Sequence, residues 1–186
     1  GMNALFTGGG SSASKLGNLS VSTTDLQFQQ LAGKWFQGTD RPSSVAIVND
    51  AAKPGAAATF GLTYKASEVA LFSSGGPSIN DVNQGVMGDC YLLSSLADLA
   101  QSNPSLIKSM IIDNNNSTYG VRFYTRSAGG NLKETWVTVD NSIAYTSGTE
   151  RLGNDRNATF GNMWVSLIEK AYAQLNGLGV NVGTDY

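Results

Sequence analysis

Apolar residues in the second half of the chain recur with two distinct periods. Leu92, Leu93, Leu96, Ala97, Leu99 and Ala100 are spaced three and four residues apart, which makes one apolar stripe of an amphipathic helix. That helix is predicted to begin at about Asp89 or Cys90. Trp164, Leu167, Ile168, Ala171, Tyr172 and Leu175 repeat the pattern, and Asn176-Gly177 supplies a C-cap. Asn103-Pro104 fits the N-cap and first position of a short helix running through Ile107 and Met110. Asp113 to Asn116 carries turn chemistry. Tyr119, Val121 and Phe123 then alternate with Gly120, Arg122 and Tyr124. Beyond the Gly129-Gly130 loop, residues 135–139 alternate again, so the pair predicts an antiparallel hairpin. Helices with a hairpin make the predicted class α+β.

Signals in the first half are weaker. Thr24 and Asp25 offer an N-cap for a short helix that would turn Leu26, Leu31 and Trp35 toward a core. Val45 to Val48 and Thr59 to Tyr64 are β-favouring pieces, separated by Pro54, Gly55 and Gly61. Thr7 to Ser20 is rich in Gly, Ser and Asn and predicts a loose arm. Composition shifts near residue 77. The division this suggests is a flexible arm over 1–20, an extension of unknown role over 21–76, and a motif-bearing unit over 77–186. No internal repeat is visible.

Composition narrows the chemistry. With 12 Lys+Arg against 14 Asp+Glu, the formal charge is −2, so there is no electrostatic footprint for nucleic acid. Charged residues make up 14% and hydrophobic ones 41%, against roughly 25% charged in an average domain, which predicts a globular chain. No apolar run approaches the ~20 residues of a membrane span. No signal peptide is evident at the start either, and the compartment is left open. The single cysteine excludes a disulfide within the chain or a multi-cysteine metal site. The absence of histidine from these 186 residues excludes a Ser-His-Asp triad, a Cys-His dyad or a histidine-ligated metal built from them alone.

One stretch concentrates the candidate chemistry: Gln84-Gly85-Val86-Met87-Gly88-Asp89-Cys90-Tyr91-Leu92-Leu93. It places a lone thiol in the first turn of a helix, after a loop with two glycines. Helix N-termini leave backbone N–H groups unpaired and carry a partial positive charge, which favours thiolate over thiol. Cys90 is therefore a candidate nucleophile. Its backbone N–H can point at an oxygen under attack, and the Gln84 amide can be a second donor. Gly85 and Gly88 let a substrate backbone approach closely. The competing reading is a small apolar core residue, since free cysteine is among the most buried residue types.

The same residues resemble the active-site motif of calpain-like cysteine peptidases, Gln-Gly-x-x-Gly-Asp-Cys-(Trp/Tyr)-(Phe/Leu)-Leu. Trp164-Val165-Ser166-Leu167-Ile168-Glu169-Lys170-Ala171-Tyr172-Ala173-Gln174-Leu175-Asn176-Gly177 is similar to that family's Trp-x-x-Leu-Leu-Glu-Lys-Ala-Tyr-Ala-Lys-Leu-Asn-Gly helix. Trp136-Val137-Thr138-Val139-Asp140-Asn141 stands in the place of its Trp-Val-x-Val-Val-Asp-Asp strand. The resemblance covers about residues 81–177. It implies the cysteine-bearing subdomain of a papain-like core, a central helix packed with further helices and a short antiparallel hairpin. It makes Cys90 the acylated nucleophile, and Gln84 the side-chain oxyanion donor beside the Cys90 amide. Trp164 is expected in the core, Tyr91 beside the catalytic helix, and Glu169 and Lys170 as structural or solvent-facing parts of their helix. Calcium-binding members carry an aspartate at the spacing of Asp81. The carboxylate they place just before the helix tryptophan is replaced here by Asn162, and one carboxylate is a poor calcium cage. No other cofactor is implied.

The family's histidine and asparagine belong to a second subdomain, in Gly-His-Ala and Asn-Pro-Trp type stretches that this sequence lacks. Three readings follow. The first is the cysteine-bearing half of an endopeptidase, inactive alone, whose partners are a peptide substrate and the absent His/Asn subdomain. The second is a binding or scaffold module that kept the fold without catalysis. The third is a related acyl transferase or amidase with non-peptide substrates. An exposed apolar wall is expected where a second subdomain would dock.

Overall fold

A computed structural model of the chain describes residues 6–7, 14–15, 21–41, 45–49, 57–84, 89–126, 130–146 and 161–177. Two of its α-helices begin where a side chain satisfies one of the first free amides. For α1 (Asp25–Ala32), Thr24 and Gln27 form a reciprocal capping box. Leu31 is buried in α1, whereas Leu26 is 64% exposed, which corrects the expectation that both face the core. Five positions apart on a helix, the two point about 140° away from each other. A π-helical turn, Gly33–Gln37, follows and closes on Gly38 in the left-handed region (φ +63°).

α2 (Cys90–Ser102) buries Leu93, Leu96 and Ala100, the predicted stripe. Asn103 ends α2 and caps α3 (Pro104–Met110), its side chain accepting from the Leu106 amide. α4 (Trp164–Gly177) is sunk in the core, with Trp164, Val165, Leu167, Ile168 and Ala171 fully buried. Glu169 and Lys170 are buried with them, so the solvent-facing alternative for these residues gives way to the structural one.

Among the described residues, three antiparallel sheets accompany the helices. β5 (Ile111–Asp113), β6 (Thr118–Arg126) and β7 (Leu132–Asp140) form one, in the order β5-β6-β7, with Val121 opposite Val137 and Tyr119 opposite Val139. This contains the predicted hairpin. β3 (Val45–Asn49), β4 (Ala57–Ala66) and β8 (Ser142–Thr146) form the second, in the order β3-β4-β8. Gly61 lies inside β4 opposite Val45 rather than separating two pieces. A short ladder joins β1 (Phe6–Thr7) to β2 (Ser14–Lys15). The core sits where α4 packs on β6, β7 and β8, with Ile107 of α3 and Leu93 and Leu96 of α2 closing it.

A buried ionic cluster joins these layers. Lys170 of α4 donates to the Asp140 carboxylate (2.7 Å), to the Asp140 carbonyl (2.5 Å) and to the Ser142 carbonyl. Arg41 reaches the other Asp140 oxygen through Nε (3.0 Å) and Nη2 (2.5 Å). Burial pushes the Lys170 ammonium down to about 8, with Asp140 opposing. Burial alone would raise Asp140, but Lys170 and Arg41 outweigh it and hold the carboxyl below its usual range.

Candidate active site

The loop before α2 carries most of the candidate residues, and its entry is held by Asp81. A 3-10 turn, Ile79–Asp81, is capped by Ser78, whose amide donates to Asp81 Oδ2 (2.8 Å). Asn162 Nδ2 donates to Asp81 Oδ1 (2.8 Å) and Trp164 Nε1 to Oδ2 (2.8 Å), both bonds buried. The carboxylate thus ties the segment leading to Gln84 to the start of α4. The carboxylate thereby has a structural role that needs no cation, whereas a calcium ion would need its oxygen lone pairs directed at the metal. Both Asp81 oxygens already accept N–H groups, and the neighbouring amide presents its nitrogen. No group of three or more acidic, cysteine or histidine residues placed to hold a metal occurs among the described residues.

Cys90 occupies the first position of α2 and is exposed. Its amide is among those that a helix N-terminus leaves without an intrahelical acceptor. Asp89 is the N-cap residue, and its carbonyl accepts the amides of Leu92 (2.8 Å) and Leu93 (3.1 Å). Gln84 is exposed, and its Nε2 donates to Asp89 Oδ1 at 3.2 Å. The fold therefore brings the predicted donor amide to the residue that adjoins the predicted nucleophile. Gly85 and Gly88, the predicted substrate-loop glycines, lie outside the described residues.

Tyr91 is 43% exposed and meets Tyr172 of α4 edge-on, with ring centroids 6.2 Å apart. Phe123 of β6 approaches the same Tyr172 at 6.0 Å. Burial, then the Tyr91 hydrogen bond, pushes the Tyr172 hydroxyl up to about 12. These rings brace the first turn of α2 against α4 and β6. On the outer face of the β5-β6-β7 sheet, Trp35, Phe36, Ile112 and Trp136 line a groove of about 400 Å³ that involves none of the α2 residues. Sequence pattern gave no hint of it, because its walls come from the π-helical turn and three separate strands.

A free, exposed cysteine thus opens α2, with a side-chain amide bonded to the residue before it. The description "calpain family cysteine protease" matches this chain over residues 57–182. The chain belongs to the calpain family of cysteine proteases. It is 33% identical over 152 residues to the calpain-type cysteine protease ADL1 of Oryza sativa subsp. japonica, covering 80% of this chain and 6% of that protein. Against calpain-9 of Rattus norvegicus it is 26% identical over 168 residues, covering 84% of this chain and 23% of the relative. Against the calpain-type cysteine protease DEK1 of Zea mays it is 33% identical over 108 residues, 56% of this chain and 5% of the relative. The chain thus spans less than a quarter of the length of these relatives. No solved structure matches it. No helix among the described residues is long and apolar enough to cross a membrane.

Proposed function

We propose that this chain is the cysteine-bearing half of a papain-like endopeptidase core, with Cys90 as nucleophile. The Cys90 thiolate attacks the scissile carbonyl carbon, forming a C–S bond while the carbonyl electron pair moves onto oxygen. The Gln84 amide and the Cys90 backbone N–H donate to that oxyanion. Collapse of the intermediate breaks the C–N bond and leaves a thioester on Cys90. The departing amine needs a proton, and hydrolysis of the thioester needs a base. Papain-like chemistry draws both from an imidazole, and these 186 residues contain none. The reading therefore assigns that role to a histidine-bearing subdomain outside this sequence, with a peptide or protein as substrate. No step runs through a cation.

The observation that supports this reading is the placement of Cys90: exposed, at the first position of α2, with the Gln84 amide bonded to its neighbour Asp89. A peptidyl epoxide incubated with the full-length protein should add covalently to Cys90, and Cys90→Ala should abolish both the adduct and peptide cleavage. The 186-residue chain by itself should cleave no peptide. A full-length protein that neither cleaves peptides nor takes up the label overturns the proposal.

A further inference from the structure

Aspartate is among the residue types that most often cap a helix through the side chain. Asp89 stands at the N-cap of α2, yet its carboxylate makes no capping bond. It accepts from Gln84 Nε2 instead. The backbone at Asp89 is fixed by the bonds its carbonyl receives from Leu92 and Leu93. The segment that leads to Gln84 is pinned through Asp81. The acceptor is thus held at the start of α2, and the chain three residues before Gln84 is anchored to α4.

This diversion has a chemical consequence. The nitrogen and oxygen ends of a primary amide are nearly the same size, so packing alone does not choose between its two orientations. A carboxylate does choose, because it accepts from the nitrogen end and repels the oxygen end. An oxyanion has the same preference. We propose that Asp89 is a positioning residue for acyl transfer at Cys90, holding Gln84 in the orientation that presents N–H to the developing oxyanion. This rests on the reading of Gln84 as donor and Cys90 as nucleophile.

Two reactions of Cys90 in the full chain separate orientation from nucleophilicity. Acetylation by p-nitrophenyl acetate passes through an oxyanion: sulfur bonds to the carbonyl carbon, the C=O pair moves to oxygen, and its return expels p-nitrophenolate. Alkylation by iodoacetamide displaces iodide from a saturated carbon and forms no oxyanion. The ratio of the two rates at fixed pH cancels changes in thiolate fraction, including those caused by removing the Asp89 charge. Gln84→Ala should lower the ratio about tenfold or more. Asp89→Ala should lower it about fivefold to tenfold, whereas Asp89→Asn, equally uncharged but still an oxygen acceptor, should stay within about twofold of native. Asp89→Ser caps a helix well but is too short to hold Gln84. It should behave like the alanine variant and covers the case in which that variant does not fold.

An unchanged ratio in Gln84→Ala sinks the donor reading and the positioning role with it. A lowered ratio in Gln84→Ala with native ratios in Asp89→Ala and Asp89→Ser overturns the role of Asp89 alone. Equal losses in Asp89→Ala and Asp89→Asn also overturn it, because charge and not the acceptor would then be what matters.

Discussion

Removing the Asp81 carboxylate strands the Nε1–H of Trp164 and the Nδ2 of Asn162, both in buried bonds. Each buried donor left without an acceptor costs about 1–3 kcal/mol, and at this chain length each kcal/mol lowers the melting temperature by roughly 2–4 °C. Asp81→Ala should therefore melt several degrees below the native chain, by the same margin with or without millimolar calcium. Asp81→Asn, which keeps one acceptor oxygen, should fall between. A calcium-dependent margin would mean that the carboxylate serves a cation. At this scale the sequence was informative where function is local. Cys90 and Gln84 lie in one short motif, and the placement of Cys90 at a helix start was readable from it. The partners of Asp81 stand 81 and 83 residues further along the chain, and no spacing rule reaches that far. The bond from Gln84 to Asp89 lies inside the motif, but it depends on a loop path that periodicity does not encode.

Segment 21–41 is held to the rest of the molecule by backbone contact as much as by side chains. The Asp140 amide donates to the Gly38 carbonyl (3.3 Å), and Thr138 Oγ1 donates to the Trp35 carbonyl (2.8 Å). A Cβ on Gly38 would lie 2.2 Å from the Asp140 nitrogen and from the Val139 carbonyl carbon, at a φ of +63°. The left-handed conformation alone costs an L-residue about 1–2 kcal/mol, before any clash with a buried strand. Gly38→Ala should thus destabilise the chain by at least that much and raise hydrogen exchange at the Asp140 amide. Gly75→Ala, where added bulk meets nothing within 4 Å, should be nearly silent. Comparable effects in the two variants would refute the contact. Elements with several turns of periodic burial, α2 and α4, were legible, as was the β6-β7 hairpin with its short loop. β5 and β8 were not, since strands of Ile111–Asp113 and Ser142–Thr146 are too short to show a period. The π-helical turn escaped because it changes helical spacing partway, after the regular turns of α1.

Lys170 on α4, Asp140 at the end of β7, Ser142 at the start of β8 and Arg41 beyond the π-helical turn meet in one cluster. It is where the helix, both larger sheets and the N-terminal segment are joined. The sequence shows each residue, but charges distant along a chain do not declare their partners. Removing one member of a buried pair leaves the other uncompensated, typically at about 3–5 kcal/mol. Asp140→Asn should cost up to about that much at neutral pH, because Lys170 loses its counter-charge and, with burial no longer opposed by Asp140, must stay charged in the core or give up its proton. The pH dependence is more diagnostic. Asp140 is held below the ordinary carboxylate range when folded, whereas unfolded it titrates near ~3.9. Between those values the unfolded chain binds a proton that the folded chain does not, so stability rises with pH across that window. The contribution is fully present above ~4 and is lost as pH falls through the folded pKa. Asp140→Asn removes this slope. Urea unfolding measured from pH 6 down to pH 2 should show the native and variant stabilities converging on the acid side. Parallel curves over that range would show that the Asp140 charge does not hold the layers together.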